Sequence, residues 1–184
     1  METIVCYGDS NTLGFDPRGL LGGRYDRPWP RILETLTGCR VKNLGYNGLC
    51  FPRSPAEFRI PEQALEACSP VRLLIVMLGT NDVLEGRDPL AGLDRLLAFL
   101  SPKQTEILVL SPPRVALPEF REAFVALPPQ YAAAAQSHSV RFCDTQAWEL
   151  PLGCDGVHLT EEAHLRLAQN LYQILEPQIR RNPS

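Results

Sequence analysis

The hexapeptide Leu73-Leu74-Ile75-Val76-Met77-Leu78 is apolar at every position, with Arg72 before it and Gly79 after it. A strand that shows one face to water alternates apolar and polar side chains. A strand without that alternation must be covered on both faces. Four other short apolar runs, Thr3 to Tyr7, Arg40 to Leu44, Glu106 to Leu110 and Val140 to Cys143, flank it in the chain, and a loop and a helix-compatible segment follow each. That alternation predicts a parallel sheet with helices on both faces and the LLIVML run near its centre. The helices are expected at Trp29 to Thr37, Pro61 to Cys68, Pro89 to Leu100, Glu119 to Ser137 and Thr160 to Ile179. Pro128-Pro129 is expected to break the fourth in two. In the last, Ala163, Leu167, Leu171 and Ile174 form the apolar stripe, Glu161 and Glu162 oppose the helix dipole, and Pro177 marks the close.

With 184 residues and 45% hydrophobic content, the chain suits one domain spanning 1–184. Its 17 prolines fall outside the expected strands, and no repeat or linker divides it. The formal net charge of −3 leaves no basic surplus for a phosphate backbone, so nucleic acid is not expected as a partner. No run approaches the roughly 20 apolar residues of a membrane span, and the first apolar run has no charged leader, which reads as cytoplasmic. The six cysteines, Cys6, Cys39, Cys50, Cys68, Cys143 and Cys154, form no Cys-x-x-Cys pair, so reduced thiols are expected.

Ligands of an open parallel sheet collect beyond the carboxyl ends of its strands. Gly8-Asp9-Ser10-Asn11 follows the first strand, where a tight turn can present the Ser10 hydroxyl; these are also ordinary turn residues. In Asn43-Leu44-Gly45-Tyr46-Asn47-Gly48 a glycine can turn a backbone amide into a cleft or simply make a turn. Within Gly79-Thr80-Asn81-Asp82 the Asn81 carboxamide can donate to a developing oxyanion or cap a helix. In Asp155-Gly156-Val157-His158-Leu159-Thr160 the carboxylate can hold the imidazole Nδ1 proton and leave Nε2 as an acceptor, or pair with it for structural reasons alone. Two other histidines compete as base. His138 precedes the fifth strand and should face the opposite rim, and His164 lies inside the last helix in a surface or packing role.

The set GDSN, NLGYNG, GTND and DGVHLT, in this order from Val5 to Thr160, resembles the GDSL/SGNH hydrolases. The resemblance implies a three-layer α/β/α fold with a five-stranded sheet in the flavodoxin-like order 2-1-3-4-5. It implies a carboxylic ester hydrolase with Ser10 as nucleophile, His158 as base and Asp155 as its orienting carboxylate. The oxyanion would meet the Ser10 amide, the Gly45 amide and the Asn81 side chain. Asn11 stands where the family name has leucine, a departure that bears on substrate preference. The stretches GRYDRPWPRIL and SPPRV look most like the arylesterase or acyltransferase branch, often oligomeric, so a homo-oligomer is expected. Asn11, Trp29, Tyr46, Phe51 and Val157, with Leu49, are the expected substrate-binding residues, around a small ester with a short acyl chain or an aryl group. No cofactor or metal is implied, because the triad generates its own nucleophile.

A carbohydrate O-deacetylase, a thioesterase and a lysophospholipase share these blocks. A phosphate-binding flavodoxin-like module would need a glycine-rich phosphate loop that the chain lacks. A decayed hydrolase kept as an interaction protein would not need every catalytic position filled.

Overall fold

The computed structural model describes residues 3–19, 22–101 and 105–181. In chain order the elements are β1 (Thr3–Gly8), α1 (Ser10–Leu13), β2 (Phe15–Asp16), β3 (Gly23–Arg24), α2 (Trp29–Thr37), β4 (Arg40–Gly45), α3 (Pro55–Glu66), β5 (Val71–Met77), α4 (Thr80–Leu84), α5 (Pro89–Leu100), β6 (Glu106–Leu110), α6 (Arg121–Ser137), β7 (Arg141–Cys143) and α7 (Glu161–Arg181). Short 3-10 turns lie at Pro118–Phe120 and Thr145–Trp148, and β2 and β3 form a small antiparallel hairpin outside the main sheet.

The main sheet is parallel in the order β4-β1-β5-β6-β7, which is the expected 2-1-3-4-5 for its five strands. Alternate side chains of β1 divide the core. Val5 and Tyr7 join Leu93, Leu96, Leu97 and Leu100 of α5 and Phe124, Leu127 and Tyr131 of α6. Ile4 and Cys6 join Trp29, Ile32 and Leu33 of α2 and Ala163, Leu167, Leu171 and Leu175 of α7. Leu73 to Leu78 are buried throughout, as the lack of alternation requires. At roughly 1.5–3 kcal/mol per large buried apolar side chain, these two layers dominate the stability of the fold.

The helices depart from expectation in three places. The stripe of α7 continues through Leu175, leaving Ile174 half in solvent. The third-layer helix α3 begins at Pro55 instead of Pro61. Ser54 caps it by accepting from the Glu57 amide, while the Glu57 carboxylate accepts from the Arg53 amide at 2.9 Å and the Ser54 hydroxyl at 2.9 Å. This Ser-x-x-Glu start overrides the cue of Pro61, which sits inside the helix. The expected break at Pro128-Pro129 does not occur, and α6 runs unbroken from Arg121 to Ser137. Pro128 offers no N–H to the Phe124 carbonyl one turn earlier. The buried Gln146 side chain supplies the missing donor, its Nε2 lying 2.9 Å from Phe124 O and 3.2 Å from Pro112 O. A residue 18 positions further along the chain than Pro128 thus answers the carbonyl which that proline leaves open inside the helix.

At the carboxyl end of β1, Asp9 is the N-cap of α1, its Oδ1 accepting from the Asn11 amide at 2.9 Å. It is 1% exposed, and Oδ2 has no hydrogen-bond partner among the described residues. Burial pushes its pKa up to about 6 from 3.8; the Asn11 amide, the nearby Thr80 hydroxyl and His158 pull the other way. The folded protein therefore holds this proton more tightly than the unfolded chain does. Its stabilising effect is complete below about pH 3.8, fades as pH rises through about 6 and becomes a cost once Asp9 is ionised.

Two outcomes follow for stability. Asp9→Asn should raise the melting temperature at pH 7.5 by several degrees, by relieving up to about 3 kcal/mol of charge burial, and the gain should vanish at pH 4. A gain independent of pH would contradict this origin. Gln146→Leu should lower the unfolding free energy in urea by about 2–4 kcal/mol, since it leaves two buried carbonyls without donors. A change within about 0.5 kcal/mol, typical of an inert surface site, would show that Gln146 does not support α6.

Candidate active site

Because all five strands run parallel, the ends of β1, β4 and β5 and the loop before α7 meet at one rim. Ser10 opens α1 directly after β1, and its Oγ lies 2.8 Å from His158 Nε2. The other ring nitrogen, Nδ1, is 2.5 Å from Asp155 Oδ2, and Asp155 Oδ1 accepts from the Val157 and His158 amides, both at 3.0 Å. Burial would raise the Asp155 pKa, but the His158 ring and the two amides outweigh it, and the net shift is downward. An ionised Asp155 keeps the imidazole proton on Nδ1. Nε2 then faces the serine hydroxyl as an acceptor.

The His158 imidazole is braced from several sides. The Phe15 ring packs against the imidazole with centroids 4.5 Å apart. Gly153 donates to the His158 carbonyl at 2.7 Å, and the Ala116 amide donates to Gly156 O at 2.7 Å, tying the loop after β6 to the loop of the base. Asn11, beside Ser10, accepts from the Leu159 amide at 2.9 Å and donates to Val157 O at 3.4 Å.

Two of the three expected oxyanion donors are available. The Ser10 amide has no hydrogen-bond partner among the described residues, and Asn81 commits one Nδ2 hydrogen to Leu49 O at 3.0 Å, keeping the other. The Gly45 amide is not available, since it donates to Asn43 Oδ1 at 2.9 Å. Gly45 is required for a different reason: a Cβ there would run into the Leu13 backbone of α1. In the same loop Gly48, at φ +69°, has an amide without a partner among the described residues. It adjoins Leu49, whose carbonyl holds Asn81. The sequence block contains both glycines, and the signal favouring the second was Asn43, placed to occupy the amide of the first.

The expected substrate wall is partly corrected. Trp29, the first residue of α2, is fully buried in the core that α2 shares with α7, its amide donating to His164 Nδ1. Phe51 is likewise core, its amide held by the Asp82 carboxylate. Asn11 is 1% exposed with both ends of its carboxamide engaged within the protein, so it cannot line a substrate cleft. Tyr46 is 42% exposed at the rim, and Val157 and Leu49 are half-buried against the core. Phe15 was not singled out from the sequence, where it reads as one more loop aromatic.

Neither rival histidine reaches Ser10. His138 pairs with Asp94 at 2.7 Å after α6, and His164 is fully buried, where desolvation lowers its pKa to about 4. All six cysteines are free thiols, with Cys6 and Cys39 buried. Among the described residues no helix is long and apolar enough to cross a membrane, and no cluster of three or more His, Cys, Asp or Glu side chains could hold a metal ion.

Comparison with known proteins adds independent weight. The structure superposes on a protein of Agrobacterium tumefaciens str. C58 assigned as an arylesterase, with a TM-score of 0.84 and 28% identity over 96% of this chain and 99% of that one. A carbohydrate acetylesterase family member from Sinorhizobium meliloti gives a TM-score of 0.80 and 26% identity over 97% and 99%. The inhibitor-bound aryl esterase of M. smegmatis gives 0.86 and 25% over 96% and 99%. No curated protein matches by sequence. Residues 6–166 match the GDSL-like lipase/acylhydrolase family, a span that contains Ser10, Asn81, Asp155 and His158, and the chain belongs to that family.

Proposed function

We propose that the protein is a serine esterase that hydrolyses small esters with a short acyl chain or an aryl group through an acyl-serine intermediate. The observation that carries this reading is the continuous relay from Asp155 through His158 to Ser10, at 2.5 and 2.8 Å. In the first half-reaction His158 Nε2 takes the Ser10 proton as Oγ attacks the ester carbonyl, then delivers it to the departing alkoxide. In the second, the same nitrogen takes a proton from water, the hydroxide attacks the acyl-serine, and the proton returns to Ser10 Oγ. Asp155 stays ionised and stabilises the imidazolium in both.

The oxyanion is met by the amides of Ser10 and Gly48 and by the free Nδ2 hydrogen of Asn81, donors fixed before the charge develops. Tyr46 and Phe15, on the rim and against the base, supply apolar wall for the ester. A carbohydrate O-deacetylase is the second reading, favoured by the likeness to the Sinorhizobium meliloti acetylesterase.

With p-nitrophenyl acetate as substrate, Ser10→Ala should lose at least about 10⁴-fold in kcat. Asn81→Ala should lose about 10²- to 10³-fold, the usual effect of deleting one oxyanion donor, while the protein stays folded with a melting temperature lowered by no more than the loss of the bond to Leu49 O, about 1 kcal/mol. Turnover should survive a chelator. Wild-type rates in Ser10→Ala, or activity lost in EDTA and restored by zinc, would refute this chemistry. A panel of acetylated sugars against aryl acetates decides between the two substrate readings.

A further inference from the structure

We propose that Asn11 is a positioning residue for the base, fastening the loop of His158 to the turn of the nucleophile; the proposal rests on the esterase reading above. The relay within Asp155-Gly156-Val157-His158 is local, confined to four residues, and fixes the imidazole only with respect to its own loop. Nothing in that local geometry sets where the loop stands relative to Ser10, 148 positions away in the chain. Asn11 does so from the residue next to the nucleophile. Its Oδ1 accepts from the amide of Leu159, and its Nδ2 donates to the carbonyl of Val157, so one carboxamide grips the backbone on both sides of His158.

The grip is rigid for three reasons. The Asn11 backbone amide is itself held by Asp9 Oδ1 at 2.9 Å, which ties the residue to the cap of α1. The side chain is 1% exposed and its 2.9 Å bond to the Leu159 amide is buried, so water does not compete for that bond; the one to Val157 O, at 3.4 Å, is the weaker and is part-buried. Leu159, which follows the base, is fully buried in the core between α2 and α7, so the amide that Asn11 holds cannot drift. Leucine, which gives the family its name, can make neither bond at this position.

Misplacing a reacting group by about 1 Å can cost as much as 10²-fold in rate. Asn11→Ala and Asn11→Leu should therefore lower kcat on p-nitrophenyl acetate by about tenfold to 10²-fold with KM within about twofold. Labelling of Ser10 by a fluorophosphonate should slow in proportion. Asn11→Asp, nearly isosteric, removes the donor and sets a carboxylate against the Val157 carbonyl. It should lose about tenfold in kcat and serves as the decisive variant if the other two fail to fold. Ile107→Val, which thins the core far from the rim, is the control: its melting temperature falls while kcat stays within about twofold.

A purely structural Asn11 would lower the melting temperature and leave kcat and the labelling rate at wild-type values in the folded enzyme. That result overturns the proposal and leaves the esterase reading standing. A wild type that neither hydrolyses the ester nor reacts with the fluorophosphonate overturns the esterase reading, and the proposal with it.

Discussion

Two backbone segments, Asp9 to Asn11 and Asp155 to Leu159, must meet at one edge of the sheet for any of the chemistry to occur. The first is anchored by β1, which is hydrogen-bonded to β4 on one side and β5 on the other and buried along its whole length. The second is anchored by α7, whose Ala163, Leu167 and Leu171 are completely buried against the sheet and α2. Packing of these two elements fixes the approach to within a few ångströms, and hydrogen bonds do the rest. Large apolar layers supply the stability, and a few polar bonds at the rim supply the geometry.

The rim also holds unfavourable groups that the rest of the fold tolerates. Asp9 is buried with one carboxylate oxygen lacking a partner, and Thr12 and Thr80 each bury a hydroxyl in the same condition among the described residues. Asp82, close by, also has its pKa raised by burial. Polar groups of this kind destabilise a domain and are found where a site must be organised. Here Asp9 holds the turn that presents Ser10, and Asp82 holds the Phe51 amide in the segment that follows the loop bearing Gly48.

Much of the architecture was legible because it depends on short-range pattern. The unbroken apolar hexapeptide Leu73 to Leu78 reads as a doubly covered strand, and its place among four other short strand-like runs, each followed by a helical segment, leads to the parallel sheet. The approach of Ser10, Asp155 and His158 was likewise expected from motif order and the common rim of parallel strands. What escaped the sequence depended on partners distant in the chain. Pro128-Pro129 reads as a helix break until Gln146 provides a donor for the Phe124 carbonyl. Gly45 reads as an oxyanion donor until Asn43 occupies its amide. Trp29 and Phe51 read as cleft walls because an aromatic residue in a loop sequence carries no mark of the face it packs on. Asn11 reads as a substrate contact until the chain folds and buries its carboxamide on the loop of the base.

The proposed chemistry requires Ser10 Oγ to become covalently bonded to the acyl group with His158 as its base. Acid quenching of the enzyme within its first turnover of a p-nitrophenyl ester, followed by peptide mapping by mass spectrometry, tests this directly. The acyl mass should sit on the peptide containing Ser10 in the wild type and be absent when His158 is replaced by alanine. An acyl group on any other residue, or the same Ser10 adduct forming at an unchanged rate without His158, would contradict it.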